Sequence, residues 1–162
     1  VGNSILDKLD WGRPEHYERL SYAAIFHDML LENGEQALVQ SLEDSEYNEL
    51  HYDVKCRIKS HPIKAGSVVR GIDSLSSDIA KIIEEHHEKF DGTGFPRGIS
   101  SERMHVLTRV FIVAHDFVLE LYNYQFDSDA KEAILDKVLS RYSDDKNVRA
   151  ITNALKASLS VS

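Results

Sequence analysis

The chain has 162 residues, 42% of them apolar, and carries 27 acidic against 19 basic side chains for a net charge of −8. That size and apolar content suit one domain with a real core and exclude a disordered chain. The acidity excludes a surface built to wrap a nucleic acid polymer, and no apolar run approaches the ~20 residues that a membrane span needs.

Residues 7–12 read as an irregular lead-in anchored by Trp11. Pro14 then suits the first turn of a helix. From residue 15 to about 31, Leu20, Ala23, Ala24, Phe26, Leu30 and Leu31 recur at helical spacing. The stretch Ala23-Ala24-Ile25-Phe26 reads as largely buried and ends in His27-Asp28, and Asn33-Gly34 stops the helix. A short helix over 35–41 and an acidic connection over 43–49 follow. Leu50, Val54 and Ile58 share one face of a helix over 50–59. His61-Pro62 breaks it, because the residue before a proline is pushed out of helical geometry, and Pro62 opens the next helix, to about 70. After a turn at Gly71 and Asp73-Ser74, Ser77 caps a helix over 78–87.

Residues 90–101 read as loop. Residues 104 to about 124 form a helix that is apolar nearly all round, hence the central buried one. Asp127 to Asp129 cap a helix over 130–142, and Ser143 to Asp145 cap the last, 146 to about 159. With no strand alternation and no internal repeat, the class is all-α. A core of about 15–125 carries a C-terminal pair of helices at about 130–160, the whole forming one domain over 1–162.

Polar groups interrupt these apolar helices at His27-Asp28, His61, His86-His87 and His115-Asp116. Imidazole and carboxylate without thiolate suit iron, manganese or zinc in hydrolytic chemistry. Six or more such ligands are too many for one tetrahedral ion and fit two ions bridged by a carboxylate. His16, His51 and His105 read as surface residues. A lone buried histidine is more often a hydrogen-bonded core residue; the conjunction of four such sites carries the metal reading.

The run His86-His87-Glu88-Lys89-Phe90-Asp91-Gly92-Thr93-Gly94-Phe95-Pro96 is the most specific feature. It lies in order with Ala23-Ala24-Ile25-Phe26-His27-Asp28, His61-Pro62-Ile63-Lys64-Ala65-Gly66 and Thr108-Arg109-Val110-Phe111-Ile112-Val113-Ala114-His115. On these motifs the chain resembles a divergent HD-GYP domain, within the HD-domain metal-dependent phosphohydrolases, over about residues 15–125. The resemblance implies an HD-domain helical bundle with additional C-terminal helices. It implies two divalent metal ions, iron first and manganese next, and hydrolysis of cyclic di-GMP. It also implies metal ligands at His27, Asp28, His61, His86 and His87, with Asp28 bridging, and Asp28 and His61 in the catalytic role. Lys89, Asp91, Gly92, Gly94, Phe95 and Pro96 would border the cyclic dinucleotide, with Phe95 and Phe90 packing on a guanine base. The Gly92 to Gly98 loop would also serve a signalling protein partner.

The chain departs from the family at several positions. Leu31 stands where the family has lysine, Lys89 where it has arginine, and Phe95 where it has tyrosine. The aspartate ligand of the central helix falls on His115, with Asp116 one residue later; neighbours on a helix point ~100° apart, so one of the two serves. Ligands from a preceding helix have no counterpart. A catalytically degenerate module that binds metal and a nucleotide or a signalling partner is therefore the alternative. The lone cysteine, Cys56, fits a reducing cytoplasm. Because the chain opens at Val1, a fragment of a longer chain is expected.

Overall fold

The computed structural model describes residues 1–159; the expected C-terminal end at about 160, and the 1–162 domain bound, fall outside them. The all-α class holds. Among the described residues there is no strand, only an isolated antiparallel bridge between Asp91 and Ser100. The helices are α1 (Gly2–Lys8), α2 (Pro14–Phe26), α3 (Gly34–Ala37), α4 (Ser45–Glu49), α5 (Tyr52–Arg70), α6 (Ser77–Glu85), α7 (Val106–Asn123), α8 (Lys131–Arg141) and α9 (Arg149–Leu159).

Helix α7 is central, as its apolar sequence predicts. Leu107, Val110, Val113 and Phe117 are buried against Ile79, Ile82 and Ile83 of α6 and against residues of α1, α8 and α9. A smaller cluster of Val39, Ile58 and Phe95 forms beside it, with Leu31 packed on its edge.

Several expectations are corrected. The N-terminal residues form helix α1, which buries Ile5 and Leu6; its single apolar step was too short to read as periodic. Helix α2 ends at Phe26, and its last turn is less buried than expected: Ala23 is inside, whereas Ile25 is 66% exposed. Asn33 starts a helix rather than stopping one, since its side chain accepts the Gln36 amide at 3.1 Å. The acidic connection contains α4. Ser76, not Ser77, caps α6. His51 and His105 cap α5 and α7 through their Nδ1 atoms.

The largest correction is at His61-Pro62, which does not break the chain: α5 runs through it. A proline inside a helix has no N–H for the carbonyl four residues back. That carbonyl is Ile58's, and His61 Nδ1 donates to it at 2.6 Å. The ring of His61 thus supplies the bond that Pro62 removes.

Gly66 sets the distance between α5 and α6. A Cβ there would overlap the Glu84 side chain and lie 2.9 Å from the Ala80 carbonyl. The close approach brings His61 on α5 against His86 at the end of α6. On the far side, Glu120 of α7 accepts Lys137 Nζ at 2.8 Å and Arg141 Nη2 at 2.7 Å, which ties α8 to the central helix.

Gly66→Ala should therefore lower stability by about 1–3 kcal/mol, the usual cost of overpacking, measured by urea unfolding. Glu120 gives a pH-dependent counterpart. Burial raises its carboxyl, but Lys137 and Arg141 outweigh burial and hold it below the ordinary 4.5. Stability from a carboxyl depressed in the folded state is present above the unfolded value and is lost as pH falls through the folded one. Glu120→Gln should remove on the order of 1 kcal/mol near neutrality. It should also flatten the decline of Tm as pH falls below the ordinary carboxyl value of 4.5.

Candidate metal centre

Three helix features deliver the imidazoles. His27 follows the last residue of α2, His86 follows the last residue of α6, and His61 sits beside Pro62 in α5. In each case the ring turns back on its own helix. His27 Nδ1 meets the Ala24 carbonyl at 3.0 Å, His61 Nδ1 the Ile58 carbonyl and His86 Nδ1 the Ile83 carbonyl, both at 2.6 Å. Carbonyls in the last turn of a helix, or four residues before a proline, lack an amide partner, so the three histidines fill an existing need. A carbonyl only accepts, so each Nδ1 carries the proton and each Nε2 is left to face inward.

The Nε2 atoms converge on Asp28. Its Oδ2 lies 3.1 Å from His27 Nε2, and its Oδ1 lies 3.2 Å from His61 Nε2 and 3.5 Å from His86 Nε2. The two Nε2 atoms of His61 and His86 are 3.3 Å apart. His87 Nδ1 and Asp28 Oδ1 are both buried without a hydrogen-bond partner. Donor atoms fall into two groups, each within 4.8 Å: Asp28, His61, His86 and His87, and His27, Asp28 and His115. Asp28 belongs to both.

The electrostatics favour a cation here. Burial lowers the His86 imidazole pKa and lowers that of His87 further, with neighbouring imidazoles adding to the effect. Burial, then His86 and His27, push His115 down to about 3. These rings are neutral at neutral pH, with lone pairs available. Burial works against charge on Asp28, and the Nε2 atoms turned toward it have no proton to donate while each Nδ1 is engaged by its carbonyl. A buried carboxylate among imidazole lone pairs is a set of acceptors without a donor, which is costly unless a cation joins them. The residues present therefore fit a divalent metal, and the Nδ1–carbonyl bonds are of the kind that orients histidines in metal sites.

The choice between His115 and Asp116 is now geometric. His115 stands 5.1 Å from His27, ring centre to ring centre, and stacks on Phe111. Asp116, offered in its place, joins neither group: Arg141 Nη1 donates to its carboxylate at 2.8 Å, and Tyr142 donates its hydroxyl.

The glycine-rich loop is more structural than its sequence implies. Phe95 and Phe90 are 4% and 8% exposed, so neither presents a face to a nucleobase. Phe95 instead lies flat on His87, with ring centres 4.5 Å apart and 14° between planes, and is joined to Pro96 by a cis peptide. A Cβ on Gly94 would overlap the backbone of Glu88 and Lys89. Gly92 donates its amide to the Lys89 carbonyl at 2.8 Å. Asp91 accepts the Thr93 amide and hydroxyl at 2.9 and 2.7 Å. Lys89 and Asp91 line a cleft of about 900 Å3, where Lys89 Nζ donates to Ser41 at 3.3 Å. Sequence reasoning passed over Glu88, although it stands inside the most specific motif: it is 1% exposed and accepts the Arg97 and Ile99 amides at 2.7 and 3.0 Å.

A profile of the HD domain matches residues 4–143. The chain belongs to the HD-domain family. Two curated proteins share stretches with this HD domain. A 3'3'-cGAMP-specific phosphodiesterase 3 of Vibrio cholerae is 41% identical over 39 residues, 24% of this chain and 8% of that protein. A cyclic di-GMP phosphodiesterase of Pseudomonas aeruginosa is 28% identical over 79 residues, 48% of this chain and 19% of that protein. The chain thus matches less than a fifth of either relative's length, as a divergent member of the family. No solved structure matches it. Among the described residues, no helix is long and apolar enough to cross a membrane.

The two neighbours on α7 should separate cleanly. His115→Ala is expected to lower metal content by emptying the group that contains His27, with the unfolding midpoint little changed without metal. Asp116→Ala is expected to leave metal content intact and lower stability by about 1–3 kcal/mol, because Tyr142 and Arg141 lose their acceptor. Elemental analysis and thermal unfolding of both variants check this.

Proposed function

We propose that this HD domain is a metal-dependent phosphodiesterase module that cleaves a cyclic dinucleotide, cyclic di-GMP first, at a centre of two divalent ions, iron first and manganese next. The observation that carries the reading is that Asp28 belongs to both donor groups, so one carboxylate can hold two ions side by side. Such a pair, when bound, activates water and neutralises the phosphate oxygens of the substrate.

The chain's own residues divide the remaining work. His61 and His86, with 0% of their side chains exposed, close the back of the site against water. Asp28 and His27 are 23% and 16% exposed, and with His115 they form its open side. That side continues into a pocket of about 390 Å3 whose walls include Leu20, Ala24, Phe111 and Val118 and carry no carboxylate. The cleft of about 900 Å3 on the other side carries eight acidic side chains against three basic ones. A dinucleotide with two phosphodiester charges is repelled by the second and accepted by the first, so approach past His27 and His115 is favoured. The fused rings of a base suit the apolar wall.

One observation favours the degenerate reading. Leu31 is partly buried against Val39, Ile58 and Phe95, so the turn after α2 sends no cation to the site where the family has a lysine. In that case the module binds metal and a nucleotide without turnover.

Protein reconstituted with Fe(II) or Mn(II) is expected to hold about two ions per chain and to convert cyclic di-GMP or 3'3'-cGAMP to linear product. Asp28→Asn should lose both metal and turnover. Elemental analysis beside chromatography of the products checks the outcome. Metal without turnover selects the degenerate module, and absence of metal after reconstitution overturns the proposal.

A further inference from the structure

Four histidines of the site, His27, His61, His86 and His87, are not held alike. His27, His61 and His86 are each locked by a bond from Nδ1 to a carbonyl of their own helix. His87 has no such lock: its Nδ1 is buried with no hydrogen-bond partner. A neutral ring without a hydrogen bond is free to rotate about its own bonds unless packing stops it. The rings of His61 and His86 lie against it on the site's side, and Phe95 lies flat on it from the loop, its amide also donating to the His87 carbonyl at 3.0 Å.

Phe95 is in turn held by Glu88. The Glu88 carboxylate is buried and touches no ion-pair partner in either donor group; its two oxygens take the amides of Arg97 and Ile99. Both bonds are charge-assisted, and they fold residues 94–99 back over the 87–89 backbone. Gly94 permits the contact, since a Cβ there would strike Glu88 and Lys89. The Arg97 side chain, directed to Glu84 at 3.3 Å, fastens the outside of the same loop to α6. The ring of Phe95 sits over His87 because its far edge is packed with Val39 and Ile58.

We propose that Glu88 and Phe95 are positioning residues for His87: Glu88 closes the glycine-rich loop, and the closed loop presses Phe95 onto the imidazole so that His87 completes one of the two ion sites. The inference rests on the two-ion reading above. The loop is then a clamp for one ligand, and its opening selectively weakens the ion held with His61 and His86.

The test is titration of metal-free protein with Mn(II), followed by electron paramagnetic resonance, with X-ray absorption counting the imidazoles around the bound ions. Three variants are compared. Glu88→Gln keeps the shape but turns an amide donor toward one of the two backbone N–H groups. Phe95→Leu keeps apolar bulk and loses the flat face. Phe95→Tyr keeps the ring. Glu88→Gln and Phe95→Leu should weaken one of the two affinities by roughly 10–100-fold, the usual effect of removing an orienting contact. They should leave the other affinity unchanged and lower the imidazole count, while Phe95→Tyr matches the unaltered protein. A purely structural role would lower the unfolding midpoint and leave both affinities and the imidazole count as they were. That result, or equal weakening of both sites, overturns the inference while the two-ion reading stands. Failure of the unaltered protein to bind Mn(II) overturns both.

Discussion

A negative carboxylate ringed by imidazole lone pairs is the constraint on which this structure turns. Asp28 faces Nε2 atoms of His27, His61 and His86 at 3.1 to 3.5 Å. Each of those nitrogens points inward because its partner Nδ1 is engaged by a carbonyl behind it. Such an arrangement is costly unless a cation joins it. The backbone supplies the means. Two of the carbonyls come from helix ends, and the third is released by Pro62. A helix-breaking residue kept inside a helix is thereby part of the way the His61 ring is oriented.

The same constraint explains the packing around the site. His61 reaches His86 because α5 and α6 lie close, and they lie close because position 66 has no side chain. Thr108 of α7 donates to the buried Glu85 at 3.0 Å, one residue before His86, which fixes the end of α6 against the central helix. The residues outside the donor groups thus determine where the donor atoms stand, as expected for a site placed on rigid elements with a supporting shell.

Charge is distributed unevenly around this centre. The net charge of −8 is concentrated in part on the walls of the larger cleft, whereas the pocket beside His27 and His115 has no acidic lining. An acidic protein can still receive an anionic ligand when bound metal supplies the local positive charge and the approach is free of carboxylates. The polar network of Asp116, Glu120, Lys137, Arg141 and Tyr142, all but Lys137 on the wall of the larger cleft, joins α7 to α8.

Much of this was legible in the chain. The helical class, the central place of α7 and the pairs His27-Asp28 and His86-His87 follow from apolar periodicity and from polar groups set where a core is expected. The sequence also carried the family resemblance, because His86 to Pro96 is a long and specific run. It misled where a local rule met a non-local partner. His61-Pro62 reads as a break, since a proline's lost hydrogen bond is local and its replacement by the His61 ring is not visible in spacing. Phe95 reads as a substrate contact, since an aromatic in a glycine-rich loop has no stated direction; folding turns it inward onto His87. His115 and Asp116 are indistinguishable as neighbours in sequence; the fold brings Arg141 and Tyr142 to Asp116 and His115 to the donor atoms of His27 and Asp28. Sequence by itself determined which chemistry was available where polar groups interrupt the apolar helices: imidazoles and carboxylates, with no thiol among them. Tertiary structure decided which of those groups meet, because side-chain direction depends on packing between helices that are far apart along the chain.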